Sequence, residues 1–125
     1  MTIAELAAQI DAQLCPGARE PSPEVAGIHT ACTMSSLIAN ASRETLLVTS
    51  LNNSQLIRVA ELMDAPGLCL AGAVQPCAEL LALARRTGIA IMISPYSLAE
   101  TRGRLEACLV RRRASSESPP GAARA

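Results

Sequence analysis

The stretch Gly67–Leu98 constrains the fold of this chain more than any other part of the sequence. It reads GLCLAGAVQPCAELLALARRTGIAIMISPYSL. Two apolar runs of strand length flank a segment with helical spacing, and Gly72 and Gly88 mark the turns between them. Apolar runs without alternation are typical of strands that are covered on both faces. The stretch therefore predicts one βαβ unit with two parallel strands, and it contains no catalytic constellation.

Composition limits the kind of domain that can surround this unit. The chain has 125 residues, which is enough for one domain with one hydrophobic core. Half of the residues are hydrophobic, yet the chain contains one Tyr, Tyr96, and no Phe or Trp. The core must therefore be aliphatic. All eleven basic residues are arginine, which is typical of a GC-rich bacterial source.

Charge and hydropathy argue against two classes of partner. The formal net charge is zero, so no basic face for nucleic acid is expected. No apolar run approaches the roughly 20 residues that a membrane-spanning helix needs. The first segment carries Glu5 and Asp11 and lacks the basic start of a signal peptide. We therefore expect a cytoplasmic protein that binds neither nucleic acid nor membranes.

The cysteines are scattered along the chain and form no CxxC pair. They are Cys15, Cys32, Cys69, Cys77 and Cys108. An odd number without paired spacing is typical of reduced, mostly buried thiols, and Cys69 within an apolar run is expected to be an inert core residue. We predict no metal site and no cofactor, since ligand sets need closer Cys and His spacing.

Periodicity and capping residues predict the elements along the rest of the chain. The predicted helices cover residues 3–14, 33–41, 54–65, 77–87 and 97–112. The predicted strands cover residues 24–30, 45–49, 68–71 and 89–93. Residues 18–23 are predicted to form a polar loop. Residues 1–112 are predicted to form a single domain, and residues 113–125, rich in Ser, Pro, Ala and Gly, a disordered tail.

The order of these elements predicts the fold class. Strands alternate with helices, which is typical of right-handed crossovers in a parallel sheet. We predict an α/β fold with a mostly parallel sheet of about four to five strands and helices packed on its faces. The order of the strands does not follow from the sequence.

Two segments resemble the DRTGG domain family. They are TLLVTSLNNSQLIRVAELMDAPGLCLAGAVQP and GIAIMISPYSLAETRGRL, which keep the family's order of strands, turns and helices. The preceding piece CTMSSLIANASRETLLVTS is similar to the corresponding part of small stand-alone members. The family's Asp-Arg falls at Asn52 and Asn53, and its Thr-Gly-Gly falls at Ala71, Gly72 and Ala73. The chain thus keeps one glycine of the motif and neither of its charges.

The resemblance implies a DRTGG-like fold, similar to the N-terminal domain of HPr kinase, and a regulatory role. Domains of this family stand beside CBS domains in regulated pyrophosphatases and beside phosphotransacetylase catalytic domains. The resemblance therefore implies a non-catalytic regulatory or ligand-sensing module. The sequence contains neither a GxxxxGK[ST] loop nor a GxGxxG fingerprint, in agreement with that role.

The candidate site follows from the rule that ligands of open α/β sheets bind outside the carboxyl ends of the strands. The candidate ligand-binding residues are Thr49, Ser50, Asn52, Asn53, Gly72, Gln75, Ser94 and Tyr96. Their hydroxyls, amides and one ring suit a small anionic ligand or a nucleotide, with Tyr96 against its base. The alternative is that they are ordinary caps and turns, which use the same residue types for backbone reasons.

Two residues offer a weaker, catalytic alternative. His29 is the only histidine, and no carboxylate lies near it in sequence except Glu24. Cys77 falls at a predicted helix start, a position typical of reactive thiols. Neither has the partners that a nucleophile or a general base needs, so we predict no catalytic residue and no enzyme activity.

The composition also bears on protein partners. A small Ala- and Leu-rich domain with few surface charges has apolar helix faces to cover, which predicts a homodimer. The alternative function is an adaptor or assembly module that binds another protein, such as a redox enzyme or a kinase-like partner.

Overall fold

The computed structural model of the chain describes residues 1–15 and 23–117, with side chains as far as Arg111. The described residues form five helices and five strands. The helices are α1 (Ile3–Gln9), α2 (Met34–Asn40), α3 (Gln55–Leu62), α4 (Ala78–Thr87) and α5 (Leu98–Glu117). The strands are β1 (Gln13–Leu14), β2 (Gly27–Thr30), β3 (Thr45–Thr49), β4 (Gly67–Leu70) and β5 (Ala90–Ile93).

The strands form one sheet in the order β1-β5-β4-β3-β2. Neighbours from β2 to β5 pair in parallel, whereas β1 pairs antiparallel with β5. Each parallel connection carries one helix and moves one strand position in the same direction. This architecture confirms the predicted α/β fold with a mostly parallel sheet, including the βαβ unit of β4, α4 and β5.

Side chains alternate between the two faces of the sheet and bury two separate cores. On one face, Leu47 and Leu68 belong to the core that the helices α2, α3 and α4 cover. On the other face, Leu46 and Cys69 belong to the core under α1 and α5. The domain therefore has three layers. Because both faces of the sheet are covered, its strands read as apolar runs.

All five cysteines are free thiols, and they differ in how far they are buried. Cys69 and Cys108 are buried, and Cys32 is exposed. Desolvation in the core raises the pKa of the Cys69 thiol to about 12, so this thiol stays protonated at neutral pH. Its burial and its pKa agree with the predicted inert core residue.

The first helix is shorter than predicted, and a strand that the sequence interpretation missed follows it. The capping box of Thr2 and Glu5 is present, but α1 ends at Gln9 instead of continuing to residue 14. Asp11 then takes a left-handed backbone with a φ of 58°, and β1 pairs with β5. The apolar spacing up to Leu14 fits a helix as well as a short strand. Pairing with a distant part of the chain decides between them.

Other boundaries also differ from the prediction. The strand β2 begins at Gly27 because Glu24 forms an isolated bridge with Thr2 instead. Helix α5 continues to Glu117, past the predicted end at residue 112, since no proline interrupts the sequence before Pro119. Most of the predicted loop at 18–23 and residues 118–125 of the predicted tail lie outside the described residues. None of the described helices has the length and hydropathy needed to cross a bilayer.

Candidate functional site

The carboxyl ends of β4 and β5 meet at one edge of the sheet, and backbone hydrogen bonds join the loops that follow them. The Gly72 N–H donates to the carbonyl of Tyr96 at 2.6 Å, and the Ala73 N–H donates to the carbonyl of Ser94 at 2.8 Å. The loop after β4 thus lies directly against the loop after β5. The two turns of the βαβ unit form one continuous surface.

Asn52 joins the loop after β3 to the same surface. Its Nδ2 donates to the carbonyl of Gln75 at 2.8 Å, and its Oδ1 accepts from the Cys77 N–H at 2.8 Å. The side-chain amide is therefore bonded at both ends to the backbone that leads into α4. A carboxylate at this position could accept from Cys77 but could not donate to Gln75, so asparagine fits this contact better than aspartate.

Thr49 and Asn53 also use their side chains within the fold. Thr49 is buried, and its Oγ1 accepts from the Leu51 N–H at 3.1 Å. The Oδ1 of Asn53 accepts from the Gln55 N–H at 2.8 Å, at the start of α3. These side chains act as caps and turns, as in the alternative interpretation of the sequence.

A closed ring of hydrogen bonds fixes the backbone at Tyr96. The Tyr96 N–H donates to Ser94 Oγ at 3.2 Å, and the Thr101 hydroxyl donates to the Tyr96 carbonyl at 3.2 Å. Ser94 Oγ lies 2.7 Å from Thr101 Oγ1, and both side chains are fully buried. Because Thr101 gives its one proton to the carbonyl, Ser94 is the donor in the hydroxyl pair. The ring holds Tyr96 in place just before α5.

The guanidinium of Arg104 lies over the aromatic ring of Tyr96. The guanidinium carbon of Arg104 lies 3.8 Å from the ring centroid, within the range of a cation–π contact. Arg104 also pairs with Glu100 at 2.8 Å, and the hydrogen bond to Glu100 is the main cause that raises the pKa of the guanidinium. The spacing of Glu100 and Arg104 predicts their pairing but not the contact with the ring. The signal that could have found it is the position of Arg104, about two helical turns beyond Tyr96.

Six of the eight candidate residues reach the surface: Tyr96 is half-buried, and the exposed ones are Ser50, Asn52, Asn53, Gly72 and Gln75. Asn52 and Asn53 also stabilise the loops through side-chain hydrogen bonds, as do the buried Thr49 and Ser94. The candidate site therefore combines structural hydrogen bonds with an exposed surface centred on Tyr96 and Arg104.

The residues of the catalytic alternative lie near the same edge. His29 Nε2 is 3.2 Å from Ser36 Oγ, which belongs to α2. Cys77 is the N-cap of α4 and makes no side-chain capping hydrogen bond. Over the described ranges, no group of three or more His, Cys, Asp or Glu side chains could hold a metal ion.

The turn after β4 has a left-handed backbone at both Gly72 and Ala73, with φ values of 83° and 56°. Glycine adopts this conformation freely, whereas a residue with a Cβ is strained by about 1 kcal/mol. The variant Ala73→Gly is therefore expected to raise the free energy of unfolding by about 0.5–1 kcal/mol in urea denaturation. The control Ala82→Gly, at an exposed position inside α4, is expected to lower it by about 1 kcal/mol. A loss in both variants would contradict the strain at Ala73.

Two adjoining cavities lie at the opposite edge of the sheet, where the strands begin. The larger has a volume of about 280 Å³, and Arg43, Glu61, Asp64 and Thr87 are among its lining residues. The smaller has a volume of about 90 Å³ and shares Arg43 and Asp64. Neither is lined by a residue of the candidate site, so the site rests on the strand-end surface and not on these cavities.

Comparison with known proteins bears on the fold. No family model matches the sequence, and no curated protein matches it. A solved structure of similar fold holds the CBS and DRTGG domains of the regulatory region of Clostridium perfringens pyrophosphatase, complexed with the activator diadenosine tetraphosphate. The TM-score is 0.65 at 14% identity, and the match covers 83% of this chain and 45% of that chain. The present chain thus has a fold like that found in this CBS and DRTGG region, and it spans less than half of that chain's length.

Proposed function

We propose that this chain is a non-catalytic, ligand-sensing regulatory module of the DRTGG type. Its ligand is a small anionic molecule, in particular an adenine nucleotide, bound where the loops after β4 and β5 meet. The observation that carries this proposal is the position of Tyr96. Its backbone is held by Gly72 and Thr101, while its ring bears the Arg104 guanidinium. A ring beside a cation, on a backbone that hydrogen bonds hold in place, suits a nucleobase and a phosphate group.

The comparison supports the class of ligand. The regulatory region of similar fold is complexed with a nucleotide activator, diadenosine tetraphosphate. In the present chain Asn52 and Asn53 stand where the family motif has Asp-Arg, so the motif supplies no cation. Arg104 supplies the positive charge at this surface instead. The five free thiols favour the reducing cytoplasm as the place where the module works.

Proton NMR can test the proposal directly, because Tyr96 and His29 are the only side chains with aromatic ring protons. We expect ATP or diadenosine tetraphosphate to shift the ring resonances of Tyr96 more than those of His29. Base–aromatic stacking contributes about 1–3 kcal/mol. The variant Tyr96→Ala is therefore expected to bind about tenfold or more weakly, whereas Tyr96→Phe keeps most of the affinity.

Two outcomes would count against this ligand class. Tyr96 resonances that do not move at millimolar ATP would exclude an adenine nucleotide at this surface. An Arg104→Gln variant that binds ATP as tightly as the wild type would show that the guanidinium does not contact the phosphates. Inorganic phosphate used alone as a probe separates these contributions, because it has no base to stack on Tyr96.

The second candidate function is an adaptor that binds another protein, such as a redox enzyme or a kinase-like partner. Two exposed apolar side chains favour it: Ile38 of α2 is 48% exposed and Leu62 of α3 is 81% exposed. These helices pack side by side on the same face of the sheet. A stoichiometric partner that is recovered with the wild type and with Tyr96→Ala, but lost with Leu62→Ser, would favour this function.

A further inference from the structure

We propose that β2, at the open edge of the sheet, pairs with β2 of a second copy of this chain. The two strands run antiparallel about a two-fold axis at His29 and continue the sheet from one copy into the other. The homodimer expected from composition thereby gains a defined interface. The interface lies apart from Tyr96, so its test is independent of the ligand site.

Among the described residues, the backbone of β2 is hydrogen-bonded to β3 on one side and to no strand on the other. The Ala31 N–H donates to the Val48 carbonyl, which shows that the odd-numbered residues direct their backbone groups to β3. The N–H and C=O groups of Ile28 and Thr30 therefore point away from the sheet. Within the described chain these outward groups have no hydrogen-bond partner. At the other edge of the sheet, β1 covers β5.

Apart from its length of only four residues, the strand β2 lacks the features that protect open edges in monomeric proteins. Its sequence, Gly27-Ile28-His29-Thr30, contains no Lys, Arg, Asp, Glu or Pro, and its pairing with β3 shows no bulge. Such an edge is a template for another strand. In the antiparallel pairing, Ile28 faces Thr30 of the second copy, and each such pair exchanges two hydrogen bonds. The outward N–H and C=O groups of one β2 can therefore pair with the same groups of a second β2.

Helix α5 lies over β2 and supplies a second layer to the interface. An open groove of about 310 Å³ at this edge is lined by Gly27, Ile28, Glu106, Leu109 and Val110. Val110 is 58% exposed, which is unusual for a valine beside a core. Helix α5 contacts β3 as well as β2, so it lies inward of the edge. With paired strands about 4.8 Å apart, this places the two copies of α5, on the same face of the joined sheet, near the roughly 8–10 Å of packed helices.

The charges on α5 are complementary under the same two-fold axis. Helix α5 starts at the carboxyl edge and runs back opposite to β2, with Glu106 beside Gly27 and Ile28. Arg102, which pairs with Glu106 in its own helix, lies one turn nearer the helix start. A two-fold axis at His29 therefore brings Arg102 of each copy to within about one helical turn, along the strand direction, of Glu106 of the other. Opposite charges meet across the interface.

Analytical ultracentrifugation of the full chain tests this interface, and we expect a dimer at about 100 µM. The variant Thr30→Pro removes an outward N–H and leaves the bonds to β3 in place, since proline is tolerated on an open edge. The variant Val110→Glu places a charge in the groove. Each is expected to weaken dimerisation at least about tenfold. Because Val110 is exposed, its variant keeps the test valid even where the proline variant fails to fold.

The variant Leu62→Glu is the matched control. It makes the same apolar-to-acidic change at an 81% exposed position of α3, on the other face of the sheet, and is expected to leave the dimer intact. Hydrogen exchange adds a residue-level readout: the amides of Ile28 and Thr30 are expected to exchange faster on dilution, whereas the His29 amide stays protected. A wild-type monomer at about 100 µM overturns the proposal. A dimer lost in Leu62→Glu but retained in Thr30→Pro also overturns it.

Discussion

The variant Gly67→Ala is expected to lower the free energy of unfolding by about 3 kcal/mol. Gly67 is buried at the start of β4. A Cβ at this position would meet the side chain of Ile3 and would lie 2.7 Å from the carbonyl oxygen of Ala90. Ala90 is the register partner of Gly67 in β5, so its carbonyl cannot retreat without opening the sheet. The contact with Ile3 involves the end of its side chain, so the backbone carbonyl of Ala90 decides most of the cost.

Gly27→Ala is the matched control, because Gly27 also starts a strand but a Cβ there meets no atom within 4 Å. We expect its stability to change by less than about 0.5 kcal/mol. Because Gly27 also lines the groove at the proposed β2 interface, urea denaturation compares both variants at a protein concentration at which each sediments as a monomer. A Gly67→Ala protein as stable as Gly27→Ala would contradict the close approach of the Ala90 carbonyl to the start of β4.

Much of the fold could be predicted from the sequence because its strands are covered on both faces. The runs at 45–49, 68–71 and 89–93 are apolar without alternation, and each corresponds to an observed strand. The strand β1 could not be found in this way. It has two residues, its partner β5 lies far along the chain, and the left-handed turn at Asp11 places it there. Such pairing is decided by tertiary contacts and not by local pattern.

The sequence predicts where the candidate site lies in the fold, but it does not predict the contacts that its residues make. The rule for parallel sheets correctly brings the loops after β3, β4 and β5 to one edge. It does not show that the Asn52 amide bonds to the backbone at Gln75 and Cys77. Nor does it place Arg104 on the Tyr96 ring. Asparagine and serine serve backbone turns and ligands equally well, so their type alone does not assign a role.

The structure gives a physical reason for two residues that differ from the DRTGG motif in the sequence resemblance. Asn52, in place of the motif's aspartate, bonds to the backbone through both ends of its amide. Ala73, in place of a glycine, stands in a left-handed turn that costs about 1 kcal/mol. Nevertheless, the Ala73 N–H still donates to the carbonyl of Ser94. The turn is therefore retained by hydrogen bonds that do not depend on the side chain at position 73.

The variant Thr101→Val is expected to lower the free energy of unfolding by about 1–3 kcal/mol. Valine has nearly the same shape as threonine, so the loss comes from the hydroxyl and not from packing. Without Thr101 Oγ1, the buried Ser94 hydroxyl loses its acceptor, and the Tyr96 carbonyl keeps only the donor from Gly72. Leaving a buried donor without a partner is more costly than removing both members of the pair. Urea denaturation measures the loss.

The double variant Ser94→Ala with Thr101→Val tests whether the hydroxyls act as a ring. Thr101→Val leaves the Ser94 hydroxyl without an acceptor, and Ser94→Ala removes that hydroxyl. The double variant is therefore expected to cost less than the sum of the single variants, by about 0.5 kcal/mol or more. Additive costs would show that the two hydroxyls act independently.

Because the ring of hydrogen bonds holds the backbone of Tyr96, Thr101→Val is also expected to weaken nucleotide binding, although Thr101 is fully buried and cannot touch a ligand. Lost stability with unchanged binding would mean that the position of Tyr96 does not depend on the ring.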